Sequence, residues 1–256
     1  MENRYRLGLA LSGGGIKGFA HAGALKALQE HDIHPDIIAG TSAGSIVAAL
    51  YAAGYDPEGI CAIFRSKGYN RFVDPVLPVS GMFKPNKFIK FLKESIPYEN
   101  LEDLPVPIRV VATDLDHGKS VVFSEGSISE RVMASSTIPL IFVPTRIDGV
   151  NYIDGGIFRN FPVSTIRKEC EKVIGINVSP LVPTSYKMNV IDIADRTYNF
   201  MFRANTMQDR KLCDVLIEMP EALQYGNLDL PKLEEIYQLG YEITNKQLEE
   251  QLDRLK

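Results

Sequence analysis

Cysteine, histidine and tryptophan are scarce in this chain, which has three cysteines, four histidines and no tryptophan. The cysteines, Cys61, Cys170 and Cys213, are widely spaced, which argues against both a disulfide framework and a metal-ligand cluster. No apolar run approaches the ~18 residues of a membrane-spanning helix. The N-terminal residues Met1–Arg6 also lack the apolar core of a secretion signal, so we expect a cytoplasmic chain with no metal site.

A strong charge of either sign is absent as well. The net charge of −4 argues against a broad nucleic-acid-binding surface, although it leaves room for a local patch that contacts a membrane peripherally. The 256 residues, 45% of them apolar, are close to the upper limit for a single hydrophobic core. No repeat, low-complexity linker or shift in composition divides them, so we predict one domain over residues 1–256. Nothing in the sequence indicates an oligomeric state.

One short stretch, Gly40-Thr41-Ser42-Ala43-Gly44, has the form of a nucleophile elbow, G-x-S-x-G. The apolar run at 36–39 is typical of a buried strand, and the apolar spacing from Ala43 to Ala53 is typical of a helix. Gly40 and Gly44 would let the strand and the helix pass closely at the turn between them. The pattern therefore predicts a serine hydroxyl at a helix N-terminus, with Ser42 as a candidate nucleophile.

A glycine-rich loop, Gly13-Gly14-Gly15-Ile16-Lys17-Gly18, follows the first predicted strand. Its spacing satisfies G-x-G-x-x-G, which also occurs in dinucleotide-binding proteins. That interpretation requires an acidic residue at the end of the second strand, whereas the acid here, Asp36, stands at its start. We therefore favour an oxyanion hole formed by the N–H groups of Gly13, Gly14 and Gly15, with a nucleotide site and a structural turn as alternatives.

A serine hydroxyl needs a base, and the usual partner, a histidine, has no suitable position. Three of the four histidines precede the elbow and none follows Asp154, which leaves only His117, in a predicted hairpin turn, for an irregular triad. Asp154, followed by Gly155 and Gly156 at the end of a predicted strand, is the acid that we favour as the base. Its ordinary pKa of ~3.9 is low for this task, so burial would have to raise it.

The remaining chain alternates between strand-like and helical segments, beginning with a β-α-β unit. We predict a helix over Pro162–Lys172, a helix over Ile191–Met207 and an amphipathic helix over Pro231–Leu252. The segment 76–83 is unusually apolar for a loop. We interpret it either as a lid or acyl-chain wall, or as an irregular stretch packed on the core.

Together and in this order, the three glycine-containing motifs resemble those of the patatin-like phospholipases, and the chain looks most like the compact bacterial members. The similarity continues through Ala134–Pro139, Asn160–Val163 and Cys213–Ile217. The resemblance implies a three-layer α/β/α fold with a mainly parallel central sheet, a Ser-Asp dyad, an oxyanion loop and hydrolysis of lipid acyl esters without metal or cofactor. The motif positions that support the dyad and the loop are Lys17, Gly18, Gly40, Gly44, Gly155 and Gly156.

We therefore expect a serine hydrolase that cleaves a phospholipid or another acyl ester, with Ser42 as nucleophile, Asp154 as base and an acyl-enzyme as intermediate. Two other classes stay open: an oxidoreductase that binds a nucleotide on the glycine loop, and a catalytically silent lipid-binding module that keeps the pocket. The motifs do not distinguish a phospholipase from a lysophospholipase, a thioesterase or a transacylase.

Overall fold

A computed structural model describes residues 4–65, 74–76, 80–226 and 230–255. The strands in this part of the chain are β1 (Tyr5–Leu11), β2 (Ile37–Thr41), β3 (Asp74–Pro75), β4 (Phe83–Lys84), β5 (Ile108–Asp114), β6 (Lys119–Phe123), β7 (Thr145–Ile147), β8 (Val150–Asp154), β9 (Cys170–Asn177) and β10 (Val215–Glu218). The α-helices are α1 (Phe19–Glu30), α2 (Ala43–Ala52), α3 (Pro57–Arg65), α4 (Asn86–Ser95), α5 (Ile128–Ser135), α6 (Gly156–Arg159), α7 (Val190–Ala204), α8 (Thr206–Arg210) and α9 (Leu233–Glu249). None of the helices in these ranges has the length and apolar character needed to cross a membrane.

Five parallel strands form the centre of an eight-stranded sheet, in the order β10-β9-β1-β2-β5. Strands β6, β7 and β8 extend this sheet through antiparallel pairs. The chain passes from β1 through the glycine loop into α1 and returns as β2, which is the predicted β-α-β unit. The mainly parallel central sheet is therefore confirmed.

Alternate residues of the central strands supply two hydrophobic cores, one on each face of the sheet. Leu9 and Leu11 of β1 belong to the larger core, which they share with α1 to α5 and α9. Ala10, which points to the opposite face, belongs to a smaller core with Phe161 and Val163. Both faces of the sheet are covered, so the three-layer arrangement is confirmed, with one thick and one thin layer.

The thin layer contains the clearest departure from the predicted helices. Residues 162–172 do not form a continuous helix; two short 3₁₀ turns, Val163–Thr165 and Arg167–Glu169, precede β9, which begins at Cys170. The Thr165 hydroxyl donates to the Pro162 carbonyl at 2.6 Å. Such a bond from a side chain to the local backbone competes with a regular helix. The predicted C-terminal helix, in contrast, is present as α9.

Strand β5 aligns the ends of two other strands. Thr41, the last residue of β2, lies opposite Val111, and Asp154, the last residue of β8, lies opposite Ala112. Because β6 pairs with residues 110–114 and so occupies the other edge of β5, strands β2 and β8 share one edge and meet end to end. This register brings Ser42 beside Asp154, although 112 positions separate them in the sequence.

Helices α1 and α9 cross in direct backbone contact. A Cβ atom on Gly23 of α1 would collide with the carbonyl oxygen of Tyr237. A Cβ atom on Gly240 of α9 would collide with the carbonyl oxygen of Ala20. The two glycines therefore let the helices approach more closely than any side chain would allow.

We predict that Gly240→Ala lowers the free energy of unfolding by about 2 kcal/mol, because the added methyl group has no space. Alanine is ordinarily better than glycine in a helix interior by ~1 kcal/mol, so a loss of stability must come from the contact with α1. Urea unfolding measures the change. Lys246→Ala, at an exposed position of the same helix, is the control and should shift stability by less than ~0.5 kcal/mol. Equal effects of the two substitutions would contradict the crowding.

Candidate active site

Ser42 connects β2 to α2 in a strained backbone conformation, with φ of 52° and ψ of −126°. Residues with a side chain rarely adopt a positive φ, so the surrounding structure must hold this turn. The N–H group of Ser42 donates to the hydroxyl of Ser135 at 2.8 Å, and that hydroxyl donates to the carbonyl of Val111 at 2.6 Å. Ser135, on α5, thus ties the turn to β5.

The hydroxyl of Ser42 donates a 2.6 Å hydrogen bond to Oδ2 of Asp154. The second carboxylate oxygen, Oδ1, accepts the N–H of Gly156 at 2.8 Å, which fixes the orientation of the carboxylate. Both Ser42 and Asp154 are buried. Burial raises the pKa of Asp154 to about 6, against the opposing effect of the hydrogen bonds from Ser42 and Gly156. A carboxylate with this pKa is more basic than an ordinary aspartate and is still mostly ionised at neutral pH.

The glycine loop forms one wall of the pocket in front of Ser42 and Asp154. The N–H of Gly13 donates to the backbone carbonyl of Asn160 at 2.9 Å, so this group is engaged within the protein. The N–H groups of Gly14 and Gly15, in contrast, have no acceptor among the described residues. Of the three predicted oxyanion donors, two therefore have no acceptor within the described part of the protein, while Gly13 holds the loop in place.

The peptide group between Ser12 and Gly13, where the loop begins, is held at both ends. Its carbonyl accepts a 2.8 Å hydrogen bond from Nε2 of His21, and its N–H donates to Asn160. Burial lowers the pKa of His21 to about 4, so the imidazole is neutral and carries its proton on Nε2. His21 does not line the pocket. Its contact is with the backbone that supports the loop.

The other motif positions of the sequence analysis lie around Ser42 and Asp154. Lys17 is buried and lines the pocket. The remaining motif glycines share one property, which is that an added Cβ atom would lie too close to a neighbouring atom: Gly18, Gly40, Gly44, Gly155 and Gly156. Gly18 and Gly44 allow the glycine loop and the end of β1 to pack against the elbow, and Gly155 allows the segment after β8 to pass close to the backbone of β5.

Several residues of the pocket have no counterpart in the sequence motifs that we recognised as candidate sites. They are Ile138, Ser179 and Asn160, together with Tyr198, Asn199, Phe202 and Arg203 of α7. The helical spacing in the sequence predicts α7 but does not indicate that it covers a pocket. Ile138 and Asn160 lie in segments that we connected only with the family resemblance.

Two other candidates from the sequence lie away from this pocket. His117 is in the turn between β5 and β6, where its Nδ1 contacts Oδ2 of Asp114 at 2.9 Å. No histidine of the described residues lines the Ser42 pocket, so an irregular triad has no support. Residues 77–79 of the apolar segment 76–83 lie outside the described residues. Phe83 packs near Phe142, with ring centroids 6.3 Å apart, and the described part of the segment does not line the pocket.

Comparisons with known proteins agree on one family. A family model described as "Patatin-like phospholipase" matches residues 9–166. An uncharacterized NTE family protein of Mycobacterium tuberculosis is 34% identical over 163 residues, which cover 63% of this chain and 45% of the relative. Lysophospholipase NTE1 of Kluyveromyces lactis is 27% identical over 267 residues, which cover 92% of this chain and 18% of the relative. The chain thus spans less than half the length of these curated relatives.

A solved structure with a similar fold is that of VipD from Legionella pneumophila, with a TM-score of 0.60. The match covers 97% of this chain and 67% of the VipD chain, at 16% sequence identity. At this level of identity the similarity concerns the fold alone. It agrees with the three-layer architecture around the mainly parallel sheet.

The raised pKa of Asp154 predicts a pH-dependent stability. In the folded chain Asp154 keeps its proton up to about pH 6, whereas an unfolded aspartate loses it near ~3.9. The folded state therefore binds more protons between these pH values. As the pH rises through this window, Asp154 should lower the free energy of unfolding by about 3 kcal/mol in total.

Asp154→Asn removes this titration, and urea unfolding of both chains across the window measures its contribution. Relative to the wild-type chain, the variant should become more stable by about 3 kcal/mol as the pH rises from ~3.5 to ~7. A difference between the two chains that stays constant with pH would contradict the raised pKa.

Proposed function

Because the chain belongs to the patatin-like phospholipase family, we propose that it is a lipid acyl hydrolase that cleaves fatty-acyl esters with a Ser42–Asp154 dyad. The observation that carries this proposal is the 2.6 Å hydrogen bond from the buried Ser42 hydroxyl to the Asp154 carboxylate at the pocket. We further propose that residues 1–256 form a single acyl hydrolase domain, which reaches its substrate by peripheral contact with a membrane.

In the first half-reaction, Oγ of Ser42 attacks the carbonyl carbon of the ester, and the hydroxyl proton moves to Oδ2 of Asp154. The carbonyl oxygen takes up the negative charge and is stabilised by the N–H groups of Gly14 and Gly15. Each such donor typically lowers the barrier by roughly 3 kcal/mol. The intermediate then expels the alcohol, which takes the proton from Asp154, and the acyl group remains esterified to Ser42.

In the second half-reaction, water attacks the acyl carbon and gives its proton to Asp154. The same two N–H groups stabilise the second tetrahedral intermediate. When this intermediate collapses, the bond to Ser42 breaks and its Oγ recovers the proton from Asp154. The fatty acid leaves, and both side chains return to their starting protonation states.

Two features let a carboxylate replace the imidazole that more commonly activates serine. Burial raises the pKa of Asp154 to about 6, close to the ordinary value of ~6.5 for histidine. Ser42 also stands at the N-terminus of α2, where the helix dipole favours a developing negative charge on its oxygen. Together these features lower the cost of moving the proton from the alcohol to the acid.

We propose a phospholipid or another acyl ester as the substrate class. Ile138, Tyr198 and Phe202 provide apolar surface for an acyl chain, while Lys17 and Arg203 bring cationic side chains to the same pocket. This combination suits an ester that carries an anionic head group. Because one relative is named a lysophospholipase, a monoacyl phospholipid is the first substrate to test.

The nucleotide-binding alternative has less support. The N–H of Gly13 donates to the carbonyl of Asn160, so the loop has one N–H donor fewer for binding a phosphate. Asp36 accepts the N–H of Leu7 at 2.8 Å from its position just before β2, at the opposite end of that strand from the Ser42 turn. It therefore lies away from where a ribose-binding acid would be. NAD should accordingly leave the melting temperature unchanged.

We predict that Ser42→Ala and Asp154→Asn each reduce hydrolysis of a monoacyl phospholipid by about 10⁴-fold, since each removes an essential partner of the proton transfer. Ser42→Ala should also abolish covalent labelling by a fluorophosphonate probe. Asp209→Asn is the matched control, because Asp209 is likewise buried with a raised pKa but does not line the pocket. Near-normal turnover by Asp154→Asn would contradict the dyad, and near-normal turnover by Ser42→Ala would contradict the proposed nucleophile.

We also predict the pH dependence of kcat/KM. Only ionised Asp154 accepts the serine proton, so kcat/KM should rise about tenfold per pH unit below the pKa and level off above about pH 6. A pH series with a soluble ester measures this profile. A plateau that is already reached near pH ~4 would show that the essential base is an ordinary carboxylate.

A further inference from the structure

Helix α7 lies across the Ser42 pocket with its more polar side inward. Tyr198, Asn199, Phe202 and Arg203 line the pocket, and Arg203 donates to Asn199 at 3.4 Å. Among the α7 residues whose side chains are described, none is fully buried. The helix therefore contributes little to the hydrophobic core and instead covers the candidate active site.

The opposite side of α7 is apolar and exposed to solvent. Its exposed large side chains are Val190 (84%), Ile191 (79%), Ile193 (42%), Phe200 (40%) and Met201 (45%). The other exposed positions described on the helix are alanines and a threonine. A surface helix of a globular protein normally places such residues against the core, so the orientation of α7 is reversed.

The exposed apolar surface continues on both sides of the helix. Of the fourteen large hydrophobic side chains that are exposed in the described part of the chain, nine lie between residues 186 and 212. Met188, just before α7, is 81% exposed, and Met207, just after it, is also exposed. Single exposed apolar residues are ordinary, but such a concentration marks an interaction surface.

Charge distinguishes this segment from the rest of the chain. Residues 186–212 contain five Lys and Arg residues and three Asp residues, a net charge of +2 in a chain of net charge −4. Lys187 and Lys211, near its two ends, are exposed. Arg196 lies over the rings of Tyr186 and Phe200, at 4.7 and 5.1 Å from their centroids. Apolar, aromatic and basic residues concentrated on and beside one exposed helix are typical of a segment that lies in a lipid interface.

We propose that the outward face of α7, with residues 186–189 and 205–212 beside it, docks on an anionic lipid surface. This inference rests on the proposed function, because the inner side of α7 forms a wall of the Ser42 pocket. Docking of its outer side would therefore place that pocket beside the lipid surface that holds the substrate. The exposed Lys187 and Lys211 complement anionic head groups, and the apolar side chains enter the interface. A second copy of this chain would meet the same local positive charge, which opposes self-association through this face.

Vesicle binding tests the apolar part of the proposal. The Ser42→Ala chain binds without hydrolysis, and its partition onto vesicles of phosphatidylcholine and phosphatidylglycerol is measured by sedimentation. Adding Phe200→Ser and Met201→Ser should lower the partition coefficient at least about tenfold, because two interfacial side chains are lost. Leu115→Ser is the matched control, since Leu115 is 48% exposed in the β5–β6 turn, and it should change binding by less than about twofold. Equal binding with and without the two α7 substitutions would overturn the proposal.

Lipid composition tests the electrostatic part. Binding should be several-fold stronger with phosphatidylglycerol than with phosphatidylcholine alone, and Lys187→Gln with Lys211→Gln should reduce this preference. Equal binding to both vesicle types would overturn the anionic preference. A wild-type chain that dimerises in sedimentation velocity, fails to bind vesicles and becomes monomeric with the two α7 substitutions would assign the face to a second copy instead.

A soluble short-chain ester separates this proposal from the proposed function. For the Phe200→Ser/Met201→Ser chain with intact Ser42, the ratio of turnover on vesicles to turnover on the soluble ester should fall at least about tenfold. If Ser42→Ala leaves turnover of the soluble ester unchanged, the proposed function fails, and the vesicle-binding result still decides the docking face. If turnover depends on Ser42 but the ratio stays constant, the docking proposal alone fails.

Discussion

The pairing of β5 with the ends of two other strands is the constraint on which the candidate site depends. Thr41 and Asp154 lie opposite neighbouring residues of β5, so one edge of one strand sets the separation between the serine and the carboxylate. Ser135 adds a second tie, because its hydroxyl links the N–H of Ser42 to the carbonyl of Val111. This support holds together a strained turn and a buried carboxylate, two features that would each be unfavourable alone.

Much of the fold could be predicted from local sequence because local residues determine it. The β1-α1-β2 unit, the turn at Ser42 and helix α9 all follow from apolar spacing and from glycines at their junctions. The prediction of a helix at 162–172 was wrong. Its apolar spacing is typical of a helix, but local hydrogen bonds, such as that of Thr165, favour short turns. Apolar periodicity indicates which residues face the core, but it does not show which backbone conformation the chain adopts in the thin layer.

The candidate site, too, could be predicted only in part from the sequence. Its motifs predicted Ser42, Asp154 and the glycine loop as parts of the site. They did not show which N–H groups of the loop have an acceptor within the protein and which do not. That depends on Gly13 meeting Asn160, 147 positions away in the chain. The sequence also did not predict which side of α7 faces the pocket, because the apolar side of an amphipathic helix is ordinarily expected to face inward. Long-range contacts decide both features.

The end-to-end meeting of β2 and β8 has a consequence for the newly made chain. Ser42 leaves the ribosome 112 residues before Asp154, so a partly synthesised chain carries an alcohol without its acid. A shift of one residue in the pairing register of β8 with β5 would also place the Asp154 side chain on the other face of the sheet. On the proposed chemistry, the hydrolase is therefore inert during synthesis and becomes able to attack lipids only when this late strand has paired correctly.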